Sequence, residues 1–209
     1  PRRLSAKFEG DVVLAPTAVR SLLVWLLAQL GDAPLLAGST ILRDRVGQPV
    51  ASPLVNLRSR FDGPGIAAVS TDAFAALPLH LLQQGRLTAL LPTLYGSRKT
   101  GLPHRPVADD GWVIDAGEVS RGDLVAGVSR GALVGRLSMG APAANGDFAG
   151  VIKNSFAIEG GVLGHALAET MISGNIARML LDVTGVSRER LDQGWHCLPW
   201  LRVTGLRFS

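Results

Sequence analysis

The chain has 209 residues, 47% of them hydrophobic and 18% charged, which is enough apolar matter to bury a substantial core and too much for a disordered segment. Its net charge of +4 comes mainly from arginines dispersed along the chain, with no basic run longer than Pro1-Arg2-Arg3 or Arg98-Lys99, so clustered contacts to nucleic-acid phosphates are not expected. The single cysteine, Cys197, excludes an intramolecular disulfide and makes the cytoplasm the expected compartment.

The sequence opens at Pro1, without an initiator methionine or a charged-then-apolar leader, as a fragment or processed piece would. Gly10-Asp11-Val12-Val13-Leu14-Ala15-Pro16 reads as a strand. It runs into TAVRSLLVWLLAQL at 17–30, a helical segment whose only charge is Arg20. A helix apolar nearly all round is expected to be buried, and this one offers no nucleophile, general base or metal-ligand set. Its most apolar stretch, 22–30, is well short of the roughly 20 residues that cross a bilayer, so no membrane span is expected.

Gly31-Asp32-Ala33-Pro34 breaks the helical pattern, and a short segment at 40–46 ends at Gly47-Gln48-Pro49. Residues 50–57 alternate as a strand would. Phe61-Asp62-Gly63-Pro64-Gly65 has the composition of a loop, and 66–69 that of another strand. Residues 77–91 form two apolar runs around Gln84-Gly85, the pattern of a hairpin. Between 95 and 110 the glycines, prolines and Asp109-Asp110 predict an exposed, mobile loop.

Further along, 112–114 reads as a strand, and Ser120 as the N-cap of a helix over 121–129. Strands are expected at 132–139 and 148–158, separated by a turn at 141–146. A second long helix is predicted at 173–183, with Ile176, Met179, Leu180 and Val183 on one face, Arg178 and Asp182 on the other, and Gly185 ending it. Residues 198–208 suit an edge strand. Short turns cannot join parallel strands, so the expected class is α+β, a largely antiparallel sheet built from hairpins with two long helices, in one domain over 1–209.

Gly127-Val128-Ser129-Arg130-Gly131 matches the spacing of a hydrolase nucleophile elbow, which needs a strand before the serine and a helix after it. The order here is helix then strand. Gly131 is therefore expected to be a left-handed residue closing a helix. His165 and Glu169 stand four apart and would share a helical face, but His80, His104 and His196 supply no third ligand in a recognisable spacing. His196 and Cys197 are neighbours that point to opposite faces of an extended segment. Ordinary surface or hydrogen-bonded histidines, and solvated charge at Asp109-Asp110, are the expected readings.

Asn145-Gly146 is a strong turn dipeptide, and Asn145-Gly146-Asp147-Phe148-Ala149, followed by Ile158-Glu159-Gly160-Gly161 and by Ile172-Ser173-Gly174-Asn175, resembles the C-terminal domain of the TldD/PmbA family. That family reads tGdFs, then a strand ending in I-x-x-G, then tIxGN. Val12-Val13-Leu14-Ala15-Pro16 resembles its vvLxP strand, Leu82-Gln83-Gln84-Gly85-Arg86-Leu87 its hairpin, and Thr100-Gly101 lies where it has a Ser-Thr-Gly-Asn turn. The resemblance runs along nearly the whole chain. Two departures are Thr71-Asp72-Ala73-Phe74-Ala75, in place of F-D-x-E-G, and Leu102, in place of the turn asparagine. The family's N-terminal domain has no counterpart in these residues.

The resemblance implies a heterodimeric zinc metallopeptidase, of a family once described as modulators of DNA gyrase. In it a TldD-type subunit carries H-E-x-x-x-H just after the vvLxP strand, and a TldE/PmbA-type subunit lacks it. Counted from Pro16, those three positions are Val24, Trp25 and Ala28, none of which can bind zinc or activate water. The resemblance therefore implies the non-catalytic subunit, with zinc in a TldD-like partner and an extended or unfolded peptide as substrate. Thr100, Gly101, Asn145, Gly146, Asp147 and Phe148 are the expected contacts to substrate or partner. Other expectations are a self-associating scaffold or homodimer without a peptidase partner, or a hydrolase using Ser129 or the pair His165 and Glu169.

Overall fold

The computed structural model describes residues 1–3, 6–168 and 170–209, and its elements follow from local chemistry. Strand β1 (Phe8–Leu14) ends in Val12, Val13 and Leu14, all fully buried. A strand whose successive side chains are all buried is covered on both faces. Val12 and Leu14 join the main core with helix α1 (Pro16–Leu30), while Val13 packs with Leu124, Val128 and Ile158 on the other side.

Helix α1 starts on Pro16, whose fixed φ suits a first helical turn, and stops at Gly31. Ala18, Val19, Leu22, Leu23 and Leu26 are buried, but Thr17, Arg20, Val24 and Ala28 form an exposed stripe. The helix is thus one-sided, correcting the expectation of burial all round. Apolar composition hid the stripe because Val24 and Ala28 are themselves apolar.

The expected break at 31–34 opens a helix instead, α2 (Asp32–Ala37). Asp32 lies in its first turn, where the helix dipole favours an acid, and Gly38 closes it at φ 66°. The alternation at 50–57 yields only strand β2 (Leu57–Ser59), because Val50 and Ala51 direct their N–H groups to the Gly85 carbonyl. The strand expected at 66–69 is reduced to an isolated bridge between Val69 and Ala75. The hairpin stands as expected, β3 (His80–Gln83) and β4 (Arg86–Leu87) joined by Gln84 at φ 47° and Gly85 at φ 71°, a type I′ pair.

The first part of the expected mobile loop is helix α3 (Leu94–Thr100). Thr93 caps it by accepting from the Gly96 N–H, Asp32 accepts from the Thr93 N–H, and Arg98 and Lys99 complement its C-terminal dipole. Strand β5 (Trp112–Ile114) has the expected bounds. Helix α4 (Arg121–Ala126) begins with a reciprocal Ser120–Asp123 capping box and ends before Gly127. Gly131 is not a left-handed cap: it lies in β6 (Arg130–Ser138), where a Cβ would fall 1.8 Å from the Asp11 carbonyl oxygen.

Strand β7 (Asp147–Glu159) turns at Gly160-Gly161 into β8 (Val162–Ala166). The second long helix does not form. Ser173 belongs to β9 (Thr170–Asn175), only Ile176–Leu181 are helical (α5), and Val183 already starts β10 (Val183–Asp192). Ile176, Met179 and Leu180 do make the buried face, but one helical turn of periodicity is too short to fix where a helix ends. The last strand, β11 (His196–Phe208), is central rather than an edge. It pairs with β1, β5, β9 and β10.

Strands β1, β6, β7, β9 and β11 close on themselves, because β1 bonds to β6 in parallel and to β11 antiparallel. The sheet is largely antiparallel, the second parallel pairing being β5 with β11. Helix α1 packs its apolar face into the main core against β6 and β11. Strands β2 to β5 extend the sheet from the start of β11. The architecture is α+β, with one long helix rather than two. Among the described residues no helix is long and apolar enough to cross a membrane.

Candidate functional site

The exposed stripe of α1 forms one wall of a groove of about 460 Å³. Val24, Trp25 and Ala28 line it together with Arg20, Ser21 and Gln29. Leu137 and the segment Met139-Gly140-Ala141-Pro142 after β6 complete the lining. Val24 is 48% exposed, whereas Trp25 and Gln29 are buried, with Trp25 Nε1 and Gln29 Oε1 unpaired inside the protein. H-E-x-x-x-H sets its second histidine five residues after its first, which corrects the third position from Ala28 to Gln29, so this wall offers an isopropyl group, an indole and a carboxamide where the motif has two imidazoles and a carboxylate. Val24 and Trp25 supply no zinc ligand and a single carboxamide oxygen does not make a set of three, so the residues present do not fit that metal. Among the described residues no group of three or more His, Cys, Asp or Glu side chains is placed to hold an ion.

The turn before β7 reaches the same helix. Gly146 is at φ 94°, and a Cβ there would lie 3.1 Å from Trp25 Cζ2 and 3.2 Å from Asn175 Oδ1. Asn145 Oδ1 accepts from the Asp147 N–H at 3.1 Å, and Asn145 Nδ2 donates to Asp147 Oδ2 at 2.8 Å. Asn175 ties this turn to α5. Its Nδ2 donates to the Asn145 carbonyl (2.9 Å) and to Asp147 Oδ1 (2.8 Å), while its Oδ1 caps α5 by accepting from the Arg178 N–H. The Asn175 and Asn145 amides hold the exposed Asp147 carboxyl below its usual range. Phe148 points the other way along the strand, into the core at 7% exposure.

Trp25 and the Asn145-Gly146-Asp147 turn are therefore brought together, but Thr100 and Gly101 are not part of that arrangement. Thr100 Oγ1 donates to the Gly96 carbonyl, and Gly101 closes α3 in the left-handed region. Among the described residues no hydrogen bond or ion pair joins that turn to Asn145-Gly146-Asp147-Phe148. Ser129 follows α4 and precedes β6, an order opposite to that of a nucleophile elbow. His165 lies on the exposed strand β8, so it has no helical face to share, and Glu169 lies outside the described residues.

Of the histidines expected to be surface or hydrogen-bonded, His104 is paired, while His196 is buried with one ring nitrogen unpaired. His104 Nε2 is 2.9 Å from Asp72 Oδ2 and edge-on to Phe74, and Asp72 in turn accepts from the Leu94 N–H at the start of α3. His196 is 5% exposed, with Nδ1 unpaired; burial first, and the Arg20 charge second, keep its imidazole neutral to lower pH than usual. Sequence reasoning missed Arg20 and Gln29 as groove residues. The signal was there in their helical spacing of four or five from Val24 and Trp25, but it needed the knowledge of which face is exposed.

A profile of the PmbA/TldA metallopeptidase C-terminal domain matches residues 7–209. No curated protein sequence matches the chain. Solved structures do. A protein of Thermotoga maritima described as a candidate modulator of a DNA gyrase superposes with a TM-score of 0.87 at 18% identity, over 100% of this chain and 51% of its own. A similarly described protein of Bacteroides thetaiotaomicron gives 0.89 at 21% identity, over 100% and 48%. TldE of Thermococcus kodakarensis gives 0.82 at 21%, over 98% and 51%. The chain thus spans about half the length of these structures. At such identities they establish the shared fold, and the profile match establishes the family: the chain belongs to the TldD/PmbA family, as its metallopeptidase C-terminal domain.

Proposed function

We propose that this chain is the non-catalytic, TldE/PmbA-like half of a cytoplasmic heterodimeric zinc metallopeptidase that acts on extended or unfolded peptides. The observation that carries this reading is the occupancy of α1: Val24, Trp25 and Gln29 stand at the metal-motif positions and, with Ala28 between them, line a groove instead of a ligand set. The zinc and the bond cleavage then belong to a TldD-like partner. This chain contributes fold, docking surface and substrate support, with the Asn145-Gly146-Asp147-Phe148 turn and the Thr100-Gly101 turn as contacts to partner or peptide.

Co-expression with a TldD-like protein carrying H-E-x-x-x-H tests it. A one-to-one complex containing one zinc, with peptidase activity lost when a partner motif histidine is replaced, is expected. Stoichiometric zinc and peptidase activity in this chain alone would refute it. A stable homodimer that ignores the TldD-like protein would favour the scaffold reading instead.

A further inference from the structure

Arginines that are dispersed along the sequence meet where β1 and β6 begin and β7 ends. Arg2, Arg3 and Arg130 line a pocket of about 240 Å³ together with Phe8, Glu159 and His165. Backbone contacts fix two of them. The Arg2 N–H donates to the Ala166 carbonyl at 2.8 Å, and the Arg2 carbonyl accepts from the Ala168 N–H at 3.0 Å, which sets Arg2 beside the end of β8. Arg130 opens β6 opposite Glu159 of β7, and β1 approaches so closely that a Cβ on Gly10 would lie 2.5 Å from the Arg130 carbonyl oxygen.

The Arg130 guanidinium is seated as well. Its carbon lies 3.9 Å from the centre of the Phe8 ring, and that ring is stacked on Phe208 at 4.5 Å. A guanidinium held on an aromatic face keeps its N–H groups for another partner. Among the described residues neither Arg2 nor Arg130 makes a side-chain hydrogen bond or an ion pair, and Glu159 is not within ion-pair distance of either. Three guanidiniums against one carboxylate leave the pocket positive. Arginine forks match the oxygens of phosphate two at a time, and a phosphate dianion has oxygens enough for more than one fork. The volume is below that of pockets for drug-sized ligands, which suits a small anion rather than a polymer.

We propose that this pocket binds a phosphate dianion, free or as the head of a small ester, on the guanidiniums of Arg130 and Arg2, with His165 at its rim. Glu159 opposes the anion and lowers the affinity. The pocket shares no residue with the groove of α1, so the proposal is independent of the peptidase reading.

Titration calorimetry of the chain tests it, with inorganic phosphate and glycerol 3-phosphate as probes, at about pH 8 where both are dianions and at fixed ionic strength. Saturable binding is expected. Arg130→Lys keeps the charge but not the fork, and weakens binding by about tenfold. Glu159→Gln removes the opposing charge and tightens it, a gain that a misfolded variant cannot imitate. Arg98→Ala, on α3 and outside the pocket, leaves it unchanged. Tighter binding of glycerol 3-phosphate than of phosphate assigns the site to an ester, and equal or weaker binding assigns it to the free anion. The Cε1 proton signal of His165, assigned by its loss in His165→Gln, is expected to move saturably with phosphate while those of His80 and His104 stay in place. No saturation at millimolar phosphate, unchanged affinity in both Arg130→Lys and Glu159→Gln, or a fixed His165 signal would each overturn the proposal.

Discussion

Gly146 faces Trp25 at a distance that leaves no room for a side chain: a Cβ there would sit 3.1 Å from Trp25 Cζ2, on a backbone at φ 94°. Both the approach and the conformation select glycine. Gly146→Ala is expected to lower stability by about 1–3 kcal/mol, and denaturant unfolding checks it. A change below 0.5 kcal/mol would mean that the turn does not rest on α1.

The sidedness of α1 separates two substitutions about half a helical turn apart. Leu22 is 1% exposed and Val24 is 48% exposed. Leu22→Ala should lose about 2–5 kcal/mol through a core cavity, whereas Val24→Ala should stay within about 0.5 kcal/mol. Similar losses at both sites would restore the all-round burial that apolar composition suggests.

Arg60 grips Asp192 through two nitrogens, at 2.7 and 2.5 Å, and the Asp192 carboxyl is lowered to about 2. A depressed carboxyl contributes stability above its unfolded value of 3.8, and that contribution fades as pH falls from there toward 2. Since the Asp192 side chain is 53% exposed, the effect is at most about 1 kcal/mol. Urea unfolding of Asp192→Asn between pH 2 and 5 should show a flatter acid limb than the unaltered chain.

His196 acts at higher pH. Its folded pKa lies below 6.5 through burial and then through Arg20, so the unfolded chain binds the proton more readily. Stability from this residue is complete above 6.5 and declines as pH drops through the folded value. Comparing unfolding of His196→Gln with the unaltered chain from pH 7.5 to 5 should show a shallower decline in the variant. Parallel curves would place His196 in solvent.

Much of the framework was legible because it rests on local chemistry. The Gln84-Gly85 turn, the Ser120 cap and the run Val12-Val13-Leu14 each carry their structure within a few residues. The errors arose where a distant contact decides. Residues 50–57 alternate like a strand, yet Val50 and Ala51 bond to Gly85. Thr93 begins a helix in a stretch resembling a loop because Asp32, from another helix, accepts from its N–H. The candidate site was half legible. Val24 and Trp25 could be counted from Pro16, but the meeting of Trp25 with Gly146 joins segments far apart in the chain and leaves no trace in either one.

Strand β11 has consequences for how the molecule is made. Phe8 pairs with Phe208, and Val203 bonds to β1 on one side and β10 on the other. As the chain leaves the ribosome, β1 and α1 emerge before β11, and β1 cannot complete its hydrogen bonding until residues 196–208 follow. For that interval the apolar face of α1 depends on provisional cover. A chain stalled before β11 is an open ring with bare strand edges, and bare edges of that kind recruit chaperones and proteases until residues 196–208 close them.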